Sequence, residues 1–440
     1  MERLNFSIEK LGQSSVMSPI RFSHESGDCQ ANYVLDAQRL IYELNVDTRS
    51  PYPQYEPSAL LEIAGPRERI YFHPKEVNAA IVTCGGLCPG LNDVVRAIVM
   101  GLWYRYGVKC ISGIRYGYRG FLDQFKFKPM ILTPDCVRDI HHQGGTLLGS
   151  SRGYGDRTTD IVDSLERRNI NMLFVIGGDG TQKGALSICN ELKKRNSNTV
   201  VIGVPKTIDN DLSFVQRSFG FETSVSMAVQ SVSGAHVEAS GAINGIGLVK
   251  VMGRESGFIA AHTALAINDV NYVLIPEVPF ELEGENGLFR HVENRLLCRN
   301  HAVILVAEGA GDHLMADLES EDASGNKHQA DIGIFLKARM ASHFKHRTLD
   351  VSIKYIDPSY IIRSAPANAN DSVYCTRLGT NAVHAAMTGR TGMLISMIHD
   401  RFVHVPIHLA VSERHTIDPD GSLWRDVVEA TGQPQLMING

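Results

Sequence analysis

Two acidic turns in this sequence each follow a short apolar run. The first turn, GGDG (177–180), contains Asp179 and follows the run NMLFVI. The second turn, TIDND (207–211), contains Asp209 and Asp211 and begins one residue after the run VIGVP. Carboxylates are the side chains that hold Mg²⁺ and that serve as general bases. The two turns therefore indicate metal-assisted or acid–base chemistry at the points where two strands end.

Several cations and one more carboxylate stand beside other apolar or glycine-rich segments. The cations are Arg152, Lys206, Arg254, Lys354 and Arg363, and the carboxylate is Glu308. Guanidinium groups can pair with two phosphate oxygens at once. Taken alone, Arg152 is equally well explained as an arginine that solvates a surface loop. Taken together, the carboxylates and cations are those expected of a phosphoryl-transfer enzyme with a phosphorylated acceptor.

Two glycine-rich loops supply backbone that could surround a phosphate. The loop CGGLCPG (84–90) lies between a β-like run at 77–83 and helical spacing at 92–102, and the loop GGTLLGSSRG (144–153) follows later. Small residues at such a position let backbone N–H groups approach an oxyanion. The first loop matches neither the Walker nor the dinucleotide pattern. Its two cysteines favour packed thiols over a metal site, because no second pair of ligands follows at the right spacing.

The elements that must position these residues alternate between strands and helices. Apolar runs of β character occur at 77–83, 171–176, 201–205, 246–251, 272–276, 302–306, 392–398 and 401–405. Helical spacing occurs at 92–102, 181–192 with Thr181 as the N-cap, 221–234, 258–266, 331–344 and 376–388, and weakly at 37–44. Several of these runs, among them 171–176, 246–251 and 302–306, are closely followed by a glycine and a charged residue. This alternation predicts an α/β fold whose parallel sheets present ligands at the carboxyl ends of their strands.

Length and composition narrow the function classes. A chain of 440 residues favours two or three domains, and a net charge of -5 gives no reason to expect a nucleic-acid or anionic-membrane partner. The eight cysteines lack a framework spacing, and no apolar run reaches the roughly 20 residues that span a bilayer. Neither terminus resembles a secretory or peroxisomal signal, so we expect a cytoplasmic protein. Five prolines between 49 and 74 predict an extended N-terminal arm. The polar segment at 320–327 is predicted to be an exposed loop.

Seven motifs in a fixed order resemble those of the 6-phosphofructokinases. They are GGLCPGLND (85–93), GGTLLGSSRG (144–153), GGDGT (177–181), PKTIDND (205–211), MGRESGFIA (252–260), AEG (307–309) and YIDPSYIIR (355–363). GGDGT alone is also similar to the lipid and NAD kinases, but the ordered set, which covers about 79–405, is specific. The chain is most similar to the ATP-dependent members of plants and trypanosomatid protists.

The resemblance implies a domain plan and an assembly. It implies two Rossmann-like parallel-sheet domains, with the active site in the cleft between them, plus an N-terminal extension. The implied divisions are an arm (1–76), an ATP-binding domain (77–221 with about 357–410), a fructose 6-phosphate-binding domain (222–356) and a C-terminal segment (411–440). It also implies an allosteric homotetramer in which Lys354 acts across an interface. Gly245 stands where bacterial members have a second phosphate-binding arginine, and their effector-site pattern is not evident here.

The same resemblance implies roles for individual residues. The residues that would bind ATP are Gly86, Arg152, Gly153, Gly178, Asp179, Gly180 and Thr181, and Tyr118 would lie near the nucleotide. Asp179 would hold Mg²⁺, with Asp211 near the ion but not bound to it directly, and Asp209 would take the proton from the 1-hydroxyl of fructose 6-phosphate. The residues that would contact the sugar phosphate are Thr207, Ile208, Met252, Gly253, Arg254, Glu308, Tyr360 and Arg363. Of these, Tyr360 and Arg363 would bind its 6-phosphate.

Two positions bear on the phosphoryl donor. Pyrophosphate-dependent members have aspartate at the position of Gly180, where that side chain would crowd and repel the α-phosphate of a nucleotide. Glycine there favours ATP, whereas Lys206 resembles the pyrophosphate-dependent members. Three alternatives stay open: a pyrophosphate-dependent enzyme, a non-catalytic regulatory subunit that binds sugar phosphate, and a dehydrogenase. The second is disfavoured by the intact Asp179, Asp209 and Arg254, and the third by the lack of a dinucleotide-binding loop.

Overall fold

The chain divides into two compact units, each built from segments that are not contiguous in sequence. The computed structural model describes residues 4–44, 56–315, 320–321, 327–328 and 331–440. Most of the predicted loop at 320–327, and the prolines at 51 and 53, lie outside the described residues. The first unit comprises Met1–Thr207, Leu212–Gly220 and Ser364–Arg414, and the second comprises Ile208–Asp211, Phe221–Arg363 and His415–Gly440.

The first unit contains a nine-stranded sheet. In spatial order its strands are Arg39–Leu40, Leu61–Ile63, Arg401–Pro406, Met393–Ile398, Val200–Pro205, Met172–Gly177, Asn78–Thr83, Cys110–Ile114 and Met130–Ile131. The five consecutive strands from Met393–Ile398 to Cys110–Ile114 are parallel, and the others pair antiparallel. Gly177 lies opposite Pro205 in register, so the two strands that precede the acidic turns end level with each other.

Helices precede or follow the parallel strands of this unit in sequence. They are Leu91–Met100, continued by a π-helical turn at Gly101–Tyr106, then Thr158–Arg167, Asp179–Lys194, Ala369–Met387 and Ile407–Ala410. Short 3₁₀ turns occur at Pro57–Ala59, Pro74–Glu76, Gly117–Phe121, Asp123–Phe125 and Ile140–His142. The predicted N-cap at Thr181 is wrong: the helix begins two residues earlier, at Asp179, and Gly178 is its N-cap. Extended backbone at a glycine lets the helix begin directly after the strand.

The N-terminal arm is part of the first unit's structure. The weak helical expectation at 37–44 is wrong, because Arg39–Leu40 pairs with Leu61–Ile63 at the edge of the sheet. Two-residue strands Glu9–Lys10 and Val16–Met17 pair with Arg390–Thr391 and Arg69–Ile70. Glu62 accepts a 2.8 Å hydrogen bond from the buried guanidinium of Arg390. Breaking such a buried pair is costly, so the arm is held by ionic contacts as well as by strand pairing.

The second unit contains a four-stranded parallel sheet. In spatial order its strands are Tyr272–Leu274, His301–Ala307, Gly245–Val251 and Ser352–Ile356. Its helices are Phe221–Ser240, Phe258–Ile267, Leu288–Arg299, Ile332–His346, Ser359–Arg363 and Ser422–Thr431, with a 3₁₀ turn at Asp312–Leu314. A two-stranded pair, Ser320–Glu321 with Lys327–His328, completes it. Val251 lies opposite Ala307, so the strands that precede Met252 and Glu308 also end level.

The sheets and helices confirm the predicted α/β class with two parallel-sheet units. Strands that are buried along nearly their whole length, such as Met172–Gly177 and Val200–Pro205, explain why the sequence shows continuous apolar runs at those positions. None of the helices among the described residues is long and apolar enough to cross a membrane.

Candidate active site

Asp179 begins the helix that follows the strand Met172–Gly177. Its side chain is only 10% exposed, and its Oδ2 atom lies 3.0 Å from Lys183 Nζ and 3.3 Å from an Nη atom of Arg414. A carboxylate in the first turn of a helix is also stabilised by the unpaired N–H groups and the dipole of that helix. Asp179 is therefore a mostly buried carboxylate with two cationic partners at the start of a helix, and the glycine immediately after it is exposed.

Gly180 differs from its glycine neighbours in the space around it. A Cβ atom added at Gly177 would lie 2.5 Å from Thr181, and one added at Gly178 would lie 3.1 Å from the carbonyl oxygen of Lys206. A Cβ atom added at Gly180 would meet nothing within 4 Å. Gly177 is therefore required by close packing inside the turn, whereas the exposed Gly180 leaves room on the outside of it.

Lys206 joins the first glycine-rich loop to the strand end at Pro205. Its ammonium group donates a 2.6 Å hydrogen bond to the carbonyl oxygen of Gly86, and the side chain is buried. A guanidinium nitrogen of Arg152 lies 3.8 Å from where a Cβ atom at Gly86 would stand. The structure thus brings together three predicted residues, Gly86, Arg152 and Lys206, and shows one contact that Lys206 makes. Gly153 is exposed, with left-handed φ of +79° and open space around it.

The second glycine-rich loop is fixed by hydrogen bonds to the first. Gly85 N–H donates to the Ser151 carbonyl oxygen at 2.9 Å, and the Ser150 hydroxyl donates to the Gly85 carbonyl oxygen at 2.7 Å. Thr83 donates from its hydroxyl to the Gly149 carbonyl oxygen at 2.8 Å. These contacts hold 84–86 and 149–152 side by side, so both loops can contribute backbone to one anion site.

Tyr118 supports the helix at Asp179 from the protein interior. Its hydroxyl donates a 2.7 Å hydrogen bond to the Thr181 carbonyl oxygen, and its ring packs against Gly184 and Gly155. Burial raises the pKa of Tyr118 well above the usual value, so the phenol stays protonated. Tyr118 is 2% exposed and acts on the site by positioning that helix. Thr181 itself is also buried.

The second acidic turn is held in the second unit by side chains and backbone from two other segments. The buried Ser256 hydroxyl donates a 2.9 Å hydrogen bond to the carbonyl oxygen of Asp209. His415 N–H donates to the Asp211 carbonyl oxygen at 3.0 Å, and its Nδ1 lies 3.1 Å from the Asn210 carbonyl oxygen. Asn210 adopts φ of +57°. These bonds fix the backbone of the turn and thereby the starting position of the Asp209 side chain. Thr207 and Ile208, which precede it, are both buried.

The strand ends at Val251 and Ala307 bring the predicted sugar-binding residues together. Gly309 N–H donates to the Gly253 carbonyl oxygen at 3.0 Å, and a Cβ atom added at Gly309 would lie 1.9 Å from the Arg254 carbonyl oxygen. Gly253 has φ of +122°, which favours glycine. Met252 is fully buried. The backbone from 252 to 254 therefore lies directly against the turn that carries Glu308.

A short helix, Ser359–Arg363, carries the two residues predicted to bind a 6-phosphate. Arg363 lies 3.8 Å from a carboxylate oxygen of Glu308, and Tyr360 is 81% exposed. The preceding Asp357 accepts from the Ser359 N–H at 3.0 Å and lies 2.9 Å from Lys250 Nζ. Burial by itself would lower the pKa of Lys250, but bonds to Asp331 and Asp357 outweigh it and raise that pKa. Lys250 therefore anchors the start of this helix.

Sequence reasoning missed three residues that position the site: Lys250, Arg414 and His415. Lys250 lies within an apolar strand, and a single lysine in such a run is a signal that it needs a buried partner. Arg414 and His415 lie in a polar segment that no motif includes. Lys354, the predicted interface cation, is half exposed and lies 4.0 Å from Glu238 within the same unit.

The chain is similar to known proteins both in sequence and in fold. Residues 78–386 match the family described as Phosphofructokinase. The chain is 53% identical to an ATP-dependent 6-phosphofructokinase of Borreliella burgdorferi, with 100% of this chain and 99% of that protein covered. It is 46% identical to an ATP-dependent 6-phosphofructokinase of Trypanosoma brucei brucei, covering 87% of this chain and 80% of that one. Among solved structures, a pyrophosphate-dependent phosphofructokinase from Marinobacter aquaeolei has the same fold, with a TM-score of 0.65 at 20% identity, covering 81% of this chain and 91% of that one.

The contrast in space between two site glycines yields a prediction. Gly309→Ala should destabilise the second unit by about 1–3 kcal/mol, because the new methyl group overlaps the Arg254 carbonyl oxygen. Gly180→Ala, in the first turn of a helix with open space around it, should be neutral or slightly stabilising. Urea unfolding of the two variants and the unaltered protein checks both. Equal stability of the two variants would contradict this account of the packing.

Proposed function

The chain belongs to the phosphofructokinase family, and we propose that it transfers the γ-phosphoryl group of ATP to the 1-hydroxyl of D-fructose 6-phosphate. The product would be D-fructose 1,6-bisphosphate, so the reaction would be the committing step of glycolysis. The observation that most supports ATP as the donor is the exposed, open position of Gly180 beside Asp179. The names of the relatives at 46–53% identity agree with this choice of donor.

In this proposal the donor site lies in the first unit. Backbone N–H groups of the paired loops around Gly86 and Gly153, together with the start of the helix at Asp179, would bind the phosphates of ATP. Arg152 would pair with phosphate oxygens, since its guanidinium is exposed beside Gly86. The phosphates would also bind at the turn formed by Gly178, Gly180 and Thr181. Gly178 and the buried Thr181 pack closely there, and Gly180 leaves open space for the ligand. Lys206 would hold the Gly86 loop in place through the hydrogen bond to its carbonyl oxygen.

The residues present fit a Mg²⁺ ion that arrives with the nucleotide. Among the described residues there is no cluster of three or more metal-ligating side chains, and a lone carboxylate suits Mg²⁺, which keeps several waters and takes its other ligands from phosphates. Asp179 would be that carboxylate. When bound, the ion would neutralise charge on the transferring phosphoryl group.

The acceptor site in this proposal lies in the second unit. Asp209 would be the general base that removes the proton from the 1-hydroxyl, and its position is set by the Ser256 and His415 bonds to the turn. Met252, Gly253, Arg254 and Glu308 would position the sugar, with Thr207 and Ile208 leading into the turn. Tyr360 and Arg363 would bind the 6-phosphate, a role for which the exposure of Tyr360 leaves room.

Three further expectations belong to this proposal. We expect a cytoplasmic enzyme, a homotetramer in which Lys354 contacts a neighbouring subunit, and allosteric control by an effector of unknown identity. The half-exposed position of Lys354 on the edge strand Ser352–Ile356 is compatible with such a contact. The domain roles, ATP in the first unit and sugar phosphate in the second, are part of the same proposal.

A donor assay tests the proposed reaction. The purified protein with fructose 6-phosphate and Mg²⁺ should form fructose 1,6-bisphosphate with ATP and should not do so with pyrophosphate. The formation of product is followed directly, with each donor in a separate reaction. Turnover with pyrophosphate alone would assign the protein to the pyrophosphate-dependent enzymes, and no turnover with either donor would favour a regulatory subunit.

The assignment of Asp209 as the base gives a second test. Asp209→Asn should lower kcat by about 10²–10⁴-fold, because the amide keeps the shape of the side chain but cannot accept the proton. The affinity for fructose 6-phosphate, measured by equilibrium binding, should change little. Near-normal kcat in this variant would mean that another group removes the proton.

A further inference from the structure

Arg414 is a cation at the donor site that neither the motifs nor the family match includes. The match ends at residue 386, and no motif extends beyond 363. An Nη atom of Arg414 nevertheless lies 3.3 Å from Oδ2 of Asp179, the carboxylate assigned to Mg²⁺ in the proposed function. The pair joins residues 235 positions apart in sequence.

The backbone at Arg414 is fixed. Arg414 forms an antiparallel bridge with Leu212, which is 1% exposed, and the Ser213 hydroxyl donates a 3.0 Å hydrogen bond to the carbonyl oxygen of Glu413. Its side chain is 38% exposed. An arginine on an anchored segment, with part of its side chain in solvent, loses less entropy on binding a phosphate than one on a free loop.

The charges around Asp179 explain why its contact with Arg414 must change when a metal binds. Without a metal, the mostly buried Asp179 has Lys183 and Arg414 as counter-ions. A divalent cation on the same carboxylate would stand within a few ångströms of two positive groups, which is unfavourable unless an anion enters with it. Nucleotide phosphates bring that negative charge. The guanidinium, displaced from Asp179, would then be adjacent to phosphate oxygens that it can bind as a fork.

We propose that Arg414 is a phosphate-binding residue of the donor site, paired with Asp179 until a divalent cation takes over that carboxylate. The inference rests on the proposed function, because it requires nucleotide and metal to bind at Asp179. It adds a ligand for the phosphates of ATP from a segment after the family match. It also predicts that Arg414 opposes the metal when no nucleotide is present and favours the metal–nucleotide complex.

Lys183 provides a matched comparison. It also pairs with Asp179, but from one turn further along the same helix, in the ordinary i,i+4 arrangement, and it is 56% exposed. Removing either cation takes one positive charge from beside the carboxylate. Only Arg414 approaches Asp179 from another segment of the chain, so only its loss should also weaken nucleotide binding.

The test measures two affinities in the full-length protein. Free Mn²⁺ is titrated by electron paramagnetic resonance, and the Mg²⁺ complex of a non-hydrolysable ATP analogue is titrated by calorimetry. Arg414→Ala should bind free Mn²⁺ about two- to fivefold more tightly, the size expected for losing a partly exposed ion pair. It should bind the nucleotide complex about 10–100-fold more weakly, the size expected for losing a charged hydrogen bond. Lys183→Ala should share the first effect and leave the nucleotide affinity within about threefold.

The outcomes separate this inference from the proposed function. If the unaltered protein does not bind the nucleotide complex, both are overturned. If it binds and Arg414→Ala binds equally well, or if Lys183→Ala loses as much nucleotide affinity, Arg414 is only a surface ion-pair partner and the inference alone is overturned. If thermal unfolding shows that Arg414→Ala is not folded, Arg414→Lys replaces it. The lysine variant should bind the nucleotide complex less tightly than the unaltered protein, because it keeps the charge but not the fork, and unchanged affinity would overturn the inference.

Discussion

The close approach of backbone at the strand ends is the constraint on which the rest of this structure depends. At Gly177, a methyl group would overlap Thr181, and at Gly309 it would overlap the Arg254 carbonyl oxygen. In each unit two neighbouring strands end level, and the turns that follow them come close together, at Gly178 beside the Lys206 carbonyl oxygen and at Gly309 beside the Arg254 carbonyl oxygen. The main role of these glycines is therefore to let the turns pack closely. Compactness brings Asp179, Lys206 and the Gly86 loop together in one unit, and Arg254 and Glu308 together in the other.

Charge balance is the second constraint. Asp179 has two cationic partners, and Glu308 has Arg363. The buried Lys250 is balanced by Asp331 and Asp357 at the base of the helix that carries Tyr360. A phosphoryl-transfer site must bind several negative charges and release them again, so cations that are satisfied by protein carboxylates in the free enzyme are well suited to it. The charge pairs of the free protein thus indicate where ligand charges would be accommodated.

Much of the fold could be predicted from sequence, because its central strands are continuous apolar runs that stop at polar, charged or glycine-containing turns. The helices after Gly90, Gly178 and Gly257 were predicted to within a few residues for the same reason. The N-cap at Thr181 was wrong because a preference for threonine at helix starts competes with a glycine that can begin the helix earlier. The strand at Arg39–Leu40 was missed because its pairing partner, Leu61–Ile63, is far away in sequence. Arg414 and Lys250 could not be assigned, since their roles depend on tertiary contacts.

The central claim, that the open glycine after Asp179 selects a nucleotide as the donor, is tested most directly at Gly180. The ratio of kcat/KM for ATP to that for pyrophosphate is measured in Gly180→Asp, with Gly180→Asn as the uncharged control of similar size. A Cβ atom at this position meets nothing within 4 Å, so the fold should be kept, but the charge of the aspartate would repel the α-phosphate at a cost of several kcal/mol. The ratio should fall by about 10²-fold or more in Gly180→Asp and by clearly less in Gly180→Asn. An unchanged ratio in a folded Gly180→Asp variant would contradict it.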